Sequence, residues 1–88
     1  MTQTDLYNII DKTCPLIESQ RIIDYCNQQE YNQARIIIDD LQDEERYQMD
    51  QHFLDDDVIF FNDALSKINE YQLIWNELVH QLEQQNGN

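Results

Sequence analysis

An apolar pattern with helical spacing runs through the last third of the chain, from Val58 to about Gln84. Phe61, Ile68 and Trp75 are each seven residues apart, and no Gly or Pro interrupts the pattern. This spacing indicates one helix with a broad apolar side, about 40 Å long at roughly 1.5 Å per residue. The apolar stripe predicted for the core, or for contact with a second copy, contains Phe61, Leu65, Ile68, Tyr71, Trp75, Leu78 and Leu82.

Composition favours short helices around that long one. The chain has 88 residues with one Gly and one Pro, so the residues that usually form tight hairpin turns are scarce. A chain of this length fits a single domain. We therefore predict an all-α fold, a bundle of four to five helices over residues 1–88, with a frayed tail at about residues 85–88.

Two short helices are predicted in the first third of the chain. Thr2 or Thr4 can cap the first helix, and Pro15 ends it and begins the second, which continues to about Gln28. The side chains expected to face inward are Leu6, Ile9, Ile10 and Thr13 in the first helix, and Leu16, Ile17, Ile23 and Cys26 in the second, with Ile22 at the flank.

A third helix is predicted from about Tyr31 to Gln42. The local sequence follows the spacing Tyr25, then Tyr31-x-x-Ala34-x-x-x-Ile38-x-x-Leu41. This spacing resembles the helical hairpin of a tetratricopeptide repeat over roughly residues 18–41. Ile22 takes the place of the usual glycine, and no second copy follows, whereas a solenoid needs several. The resemblance implies an antiparallel helix pair that crosses closely at Ala34.

Residues 39–57 hold nine of the eighteen acids, and only Arg46 opposes them. Asp43 followed by two Glu is typical of a helix start, because carboxylates stabilise the positive end of a helix. We therefore expect a separate short helix over about residues 44–54, which buries Phe53 and Leu54 together with Tyr47 or Met49. The three aspartates that follow would break this helix and cap the long last one.

The net charge of −13 is the strongest global feature, since eighteen acids face five bases. It disfavours direct binding to nucleic acid or to anionic membranes, and it attracts basic proteins. The alternative is that the charge serves only solubility. For a contact surface, the expected partner-binding residues are Asp39, Asp40, Asp43, Glu44, Glu45, Tyr47, Asp50, Asp55, Asp56 and Asp57, with Tyr47 as an aromatic anchor.

The sequence predicts no catalytic site, cofactor or metal centre. His52 and Asp56 lie four residues apart, but the spaced oxygen ligands and the central Gly of a calcium loop are missing. Cys14 precedes Pro15 at a helix start, which could lower its thiol pKa, although a buried structural cysteine is the simpler interpretation. Without a recognisable leader or an apolar run of about 18 residues, we expect a cytoplasmic protein with free thiols.

The first functional hypothesis is a small acidic protein that inhibits a basic, nucleic-acid-handling protein, such as a nuclease, by occupying its nucleic-acid or substrate surface. In size, charge and helicity the chain is similar to the immunity proteins of bacterial nuclease toxins and to phage-encoded inhibitors of nucleic-acid enzymes. That resemblance implies toxin neutralisation or mimicry of nucleic acid through the acidic residues. The alternative is a helical adaptor or secretion-chaperone module that binds through apolar surface of the long helix. A homodimer through that helix stays open.

Overall fold

The computed structural model describes residues 2–52 and 58–86. Within these ranges the chain forms four helices and no strand. The helices are α1 (Gln3–Thr13), α2 (Leu16–Asn27), α3 (Tyr31–His52) and α4 (Val58–Asn86). The prediction of an all-α bundle built on one long C-terminal helix is therefore confirmed.

α1 begins and ends where the sequence predicts. The Thr2 hydroxyl oxygen accepts a hydrogen bond from the backbone N–H of Asp5 at 3.1 Å, which satisfies one of the unpaired amides at the helix start. At the other end Cys14 is extended (φ −87°, ψ 150°), the conformation that a following proline favours. The inner side of α1 buries Leu6, Ile10 and Thr13.

The inner side of α2 differs from the prediction. Leu16 and Ile17 are 71% and 70% exposed, and the buried side chains are Ser19, Ile22 and Cys26. Ser19 can be buried because its hydroxyl donates a hydrogen bond to Asp11 Oδ1 at 2.6 Å, so the polar group is satisfied. The apolar pattern was misleading here because a small, hydrogen-bonded serine replaces an aliphatic side chain on the inner side.

α2 ends in a Schellman turn. Gln29 has a left-handed backbone with a φ of 60°. Its N–H donates to the Cys26 carbonyl at 3.0 Å, and the Glu30 N–H donates to the Tyr25 carbonyl at 2.8 Å. The turn reverses the chain, so that α3 runs antiparallel to α2, as the tetratricopeptide-like spacing implies. Ala34 is completely buried, in keeping with a close helix crossing.

α3 continues through Asp43 without a break, so the predicted helix start there and the separate helix over about residues 44–54 are wrong. Gln42, at the predicted junction, is only 4% exposed, and its side-chain amide donates to Gln72 Oε1 of α4 at 3.1 Å. This contact holds α3 against α4 at the point where one helix was expected to end and another to begin. Tyr47 is 60% exposed rather than buried. Phe53 and Leu54 lie outside the described residues.

The helices pack in a ring, in which α1 contacts α4 and α2, and α3 contacts α2 and α4. Since α1 and α2 are short, they cover only part of the α3–α4 hairpin. The part covered by α1 ends at Thr13, the last residue of that helix, whose hydroxyl donates to Glu70 Oε2 of α4 at 2.5 Å. We call residues 43–52 and 58–67 the arm, and we call the rest of the hairpin, with α1 and α2, the covered half. The molecule measures 49 × 23 × 20 Å.

The interior of the covered half is apolar, and several side chains there have no exposed surface: Ile10, Ile22, Ile38, Ile74 and Leu78. On α4 the buried line differs from the predicted stripe. Leu65 is 41% exposed, Phe61, Trp75 and Leu82 are half-buried, and Ile74 takes an interior position that the stripe did not include. A strict seven-residue repeat drifts around a straight helix because each turn contains about 3.6 residues rather than 3.5.

Candidate interaction surface

The predicted contact residues within the described ranges all belong to α3, but only some of them share a side of it. Asp40, Asp43, Tyr47 and Asp50 follow at spacings of three and four residues on the solvent side. Ile36, which is 41% exposed, extends the same line by one turn. We call these five residues the outer face. From Asp40 to Asp50 it is about 15 Å long.

The other predicted carboxylates of α3 lie beside the outer face or turn inward. Asp39 Oδ2 pairs with Arg35 Nη1 at 3.2 Å. Glu45, whose side chain is 20% exposed, pairs with Lys67 of α4 at 3.9 Å. Glu44 lines the cleft between α3 and α2, and so do Ile36 and Asp40 at that end of the outer face. The remaining members of the predicted set, Asp55, Asp56 and Asp57, lie outside the described residues.

The outer face keeps most of its charge exposed to solvent. Arg46, one turn along α3, pairs with Asp43 at 3.8 Å, but the two side chains are 52% and 78% exposed. Water screens such a surface pair, so it stabilises little and leaves Asp43 able to exchange Arg46 for a partner's base. Tyr47 stands among these carboxylates at 60% exposure, which gives the face one large aromatic contact.

A notch of about 300 Å³ marks the base of the arm, where the connection between α1 and α2 meets the hairpin. Its charged lining is balanced, since Lys12 and Lys67 stand with Glu44 and Glu45. The Tyr71 hydroxyl, also in the lining, donates to the Thr13 carbonyl at 3.4 Å. The notch is therefore the point where the covering layer ends.

Beyond the notch the arm carries apolar side chains that no described helix covers. Val58 and Ile59 are 65% and 78% exposed. Ala64, at 1% exposure, is the one buried residue among the described residues of the arm. The arm is thus two helices that pack against each other and leave apolar surface in water.

The two thiols are buried and protonated. Burial, with smaller contributions from Glu18 and Asp11, raises the pKa of Cys14 to about 12. Burial raises the pKa of Cys26 to about 11. A thiol must ionise to act as a nucleophile, so the lowered pKa considered for Cys14 at its helix start is wrong, and both residues serve packing.

The described ranges offer neither of two other kinds of site. There, no group of three or more His, Cys, Asp or Glu side chains is placed to hold a metal ion. The described helices also include none with the length and apolarity needed to cross a bilayer. The side chains of His52 and Asp56, which the sequence analysis set aside as a metal site, lie outside those that the structure describes.

Sequence reasoning missed three exposed apolar residues of this surface. Ile36 was not assigned to any contact, although it shares a seven-residue spacing with Asp43 and Asp50. From the sequence, Val58 was identified only as the start of the last helix, and Ile59 was given no role. The signal that could have found Ile36 is the outward line of α3, which becomes visible only if the helix is continuous.

Comparisons with protein-family models, with curated proteins and with solved structures found no match to this chain.

Proposed function

We propose that the chain is a small acidic binding protein that inhibits a basic, nucleic-acid-handling protein by occupying its nucleic-acid or substrate surface. The observation that carries this proposal is the continuity of α3, which holds Asp40, Asp43, Tyr47 and Asp50 on one solvent-facing line. A rigid helix presents these groups without the entropy loss that a flexible acidic segment suffers on binding.

The charge of the whole chain supports the same role. At a net charge of −13, the protein attracts a basic partner over long distances and accelerates their encounter at low salt. Once the two proteins are in contact, exposed carboxylates can accept hydrogen bonds from Lys and Arg in place of phosphate oxygens. Tyr47 supplies apolar area at the centre of the same line. In general type this is the action of an immunity protein or a phage-encoded inhibitor.

The test compares two variants with the same net charge. One carries Asp40→Lys, Asp43→Lys and Asp50→Lys on the outer face. The matched control carries Asp24→Lys, Glu30→Lys and Glu83→Lys, three exposed acids at the far end of the covered half. Each immobilised chain is used to capture proteins from the source cell, and the inhibition of a captured basic enzyme is then titrated with each variant.

The proposal predicts that the outer-face variant inhibits about 100-fold less well, because lysines would then oppose the partner's bases, and that the control inhibits nearly as well as the native chain. An equal loss of inhibition in both variants would mean that net charge, rather than the arrangement of acids on α3, drives binding. Retained inhibition by the outer-face variant would contradict the proposal. Glu45 is omitted because its inward pair with Lys67 would confuse a binding effect with a folding effect.

The exposed apolar residues of α4 favour a second candidate, a helical adaptor or secretion-chaperone module. Val58, Ile59 and Leu73 are 65%, 78% and 53% exposed. Salt separates the two candidates. Charge-driven binding weakens by orders of magnitude between about 50 and 200 mM salt, whereas binding through apolar surface changes little.

A further inference from the structure

We infer that the arm accepts a basic amphipathic helix of the partner, in the groove that α1 and α2 fill along the covered half. This inference rests on the proposed function, because it assumes a basic partner, and it adds how that partner is held. The occupant would complete a helical bundle around a hairpin that the chain itself leaves half covered.

Beyond α1 and α2, the groove is bordered by one row of residues on α4 and one on α3. On α4 the side toward α1 includes Glu70, Ile74 and Glu77. Helical spacing extends this side to Asp63 and Ile59 in the arm. On α3 the side toward α2 includes Leu41 and Glu44, and the same spacing extends it to Gln48 and Gln51. The two extended lines border one groove, which begins at the notch.

The floor and walls of this groove have the composition of a helix-binding surface. Ile59 is 78% exposed on one wall. Met49 of α3 and Phe60 of α4 are half-buried. In the covered half, the corresponding part of the hairpin meets Leu6 and Ile10 of α1, which are 4% and 0% exposed. An incoming helix with an apolar stripe would shield the arm in the same way.

The length of the arm sets the size of the occupant. Ten residues of α3 and ten of α4 give a groove about 15 Å long. A helix of about three turns fills that length, which is close to the 11 residues of α1. The occupant is thus a helical segment rather than a single side chain or a small molecule.

Charge decides between a basic helix and a second copy of this chain. The described arm carries five acids against Arg46 and Lys67: Asp43, Glu44, Glu45, Asp50 and Asp63. Two copies of the arm would bring these like charges together, in chains that each carry −13. A helix with Lys or Arg beside its apolar stripe meets Glu44 on one wall and Asp63 on the other.

The probe is a synthetic 12-residue peptide of Leu and Lys whose order places all leucines on one side of a helix. Its control peptide has the same composition in an order that spreads the leucines around the helix. Binding of each to the full chain is measured by calorimetry at near-physiological salt, and amide chemical shifts map the contact. We expect the amphipathic peptide to bind about tenfold or more tightly than its control, with shifts in residues 43–52 and 58–67.

Matched variants locate the groove. Ile59→Ser should weaken binding of the amphipathic peptide about tenfold, because the α4 wall of the groove loses its apolar contact with the peptide. Val58→Ser changes the neighbouring exposed residue, which helical geometry places about 100° away from the groove wall, and should change binding less than about twofold. Both residues are exposed, so neither change threatens folding.

Any of four results would overturn the inference. Equal binding of the two peptides, or equal effects of the two variants, would mean that charge acts without a helix groove, while the proposed function could still hold. Shifts confined to the covered half would place the contact elsewhere. A dimer of the native chain in analytical ultracentrifugation that Ile59→Ser dissociates would assign the groove to a second copy. Failure of the proposed function is seen separately, as retained enzyme inhibition by the outer-face lysine variant.

Discussion

The covered half and the arm belong to one α3–α4 hairpin, yet they are stabilised differently. In the covered half, α1 and α2 close the open side and leave Ile38, Ile74 and Leu78 with no exposed surface. In the arm, within the described residues, the same two helices pack on each other, and Ala64 is the one buried residue. Burial of apolar surface is the main driving force of folding, so the covered half supplies most of the stability.

Under the proposed function, this difference separates folding from binding within a small chain. Clustered acids repel one another and weaken a compact state. Here the clustered acids of α3 stand mainly along its solvent side and in the arm, away from the side chains that form the core. Under the proposed function, the covered half tolerates this repulsion and fixes the shape in which the acids are presented.

The largest expected contrast comes from truncating one leucine in each part of α4. Leu78→Ala should lower the free energy of unfolding by about 2–5 kcal/mol, because it opens a cavity in a closed core. Leu65→Ala in the arm should lower it by about 1 kcal/mol, since that side chain is already 41% exposed and its truncation opens no closed cavity. Urea denaturation followed by circular dichroism measures both values, and equal losses would contradict the contrast. If Leu78→Ala fails to fold, Ile74→Val provides a milder test, at about 0.5–1.5 kcal/mol.

Alkaline pH should weaken the covered half through its thiols. Burial raises the pKa of Cys14 to about 12 and that of Cys26 to about 11, from 9.0. Above pH 9 the unfolded chain therefore binds fewer protons than the folded one. The stability that is complete below pH 9 should fall by about 1.4 kcal/mol per pH unit for each thiol as the pH approaches 11. Urea titrations over this range measure the slope, which Cys26→Ala should reduce. If Cys26→Ala leaves the slope unchanged, ionisation of the Cys26 thiol does not cause the loss of stability.

The boundary between the two parts can be tested at Gln42. Gln42→Ala should lower the free energy of unfolding by about 1–3 kcal/mol, because it removes a buried side chain and its hydrogen bond to Gln72. Gln48→Ala, an exposed position in the arm, should change it by less than about 0.5 kcal/mol. Thermal unfolding of the two variants provides the comparison. A larger effect at Gln48 would move the boundary into the arm.

The smallest expected effect strengthens the covered half. Gln29→Gly should raise the free energy of unfolding by up to about 1 kcal/mol, because Gln29 occupies the left-handed region, with a φ of 60°, where glycine fits without strain. Gln29→Ala serves as the control, since alanine keeps the strain. Urea denaturation midpoints measure both changes, provided that the unfolding free energy depends equally on urea concentration in each variant. A loss of stability with glycine would argue against the Schellman turn.

The long helix could be predicted from the sequence because its apolar spacing is sustained and uninterrupted. Its exact interior line could not, since Ile74 enters the core through the drift of a seven-residue repeat around a helix with 3.6 residues per turn. The inner side of α2 was missed for a different reason. Ser19 is buried by virtue of its hydrogen bond to Asp11, and that partner belongs to another helix.

The acidic surface was predictable in residues but not in arrangement. Carboxylates at Asp43 and beyond suit a helix start, yet the buried amide of Gln42 holds α3 continuous across that point. The residues near Asp43 in sequence could not predict this contact, because Gln72 lies 30 residues away from Gln42. Continuity then decides which acids share a line and places Ile36 and Tyr47 among them.

Residue-resolved amide hydrogen exchange tests the central claim, that one hairpin combines a closed folding half with an open binding half. We expect amides of residues 46–52 and 58–66 to exchange about tenfold or more faster than those of the same helices beside α1 and α2. We also expect the amphipathic Leu–Lys peptide to slow exchange in the arm and to leave the covered half nearly unchanged. Uniform protection along α3 and α4, or slowing spread evenly over both halves, would contradict this division.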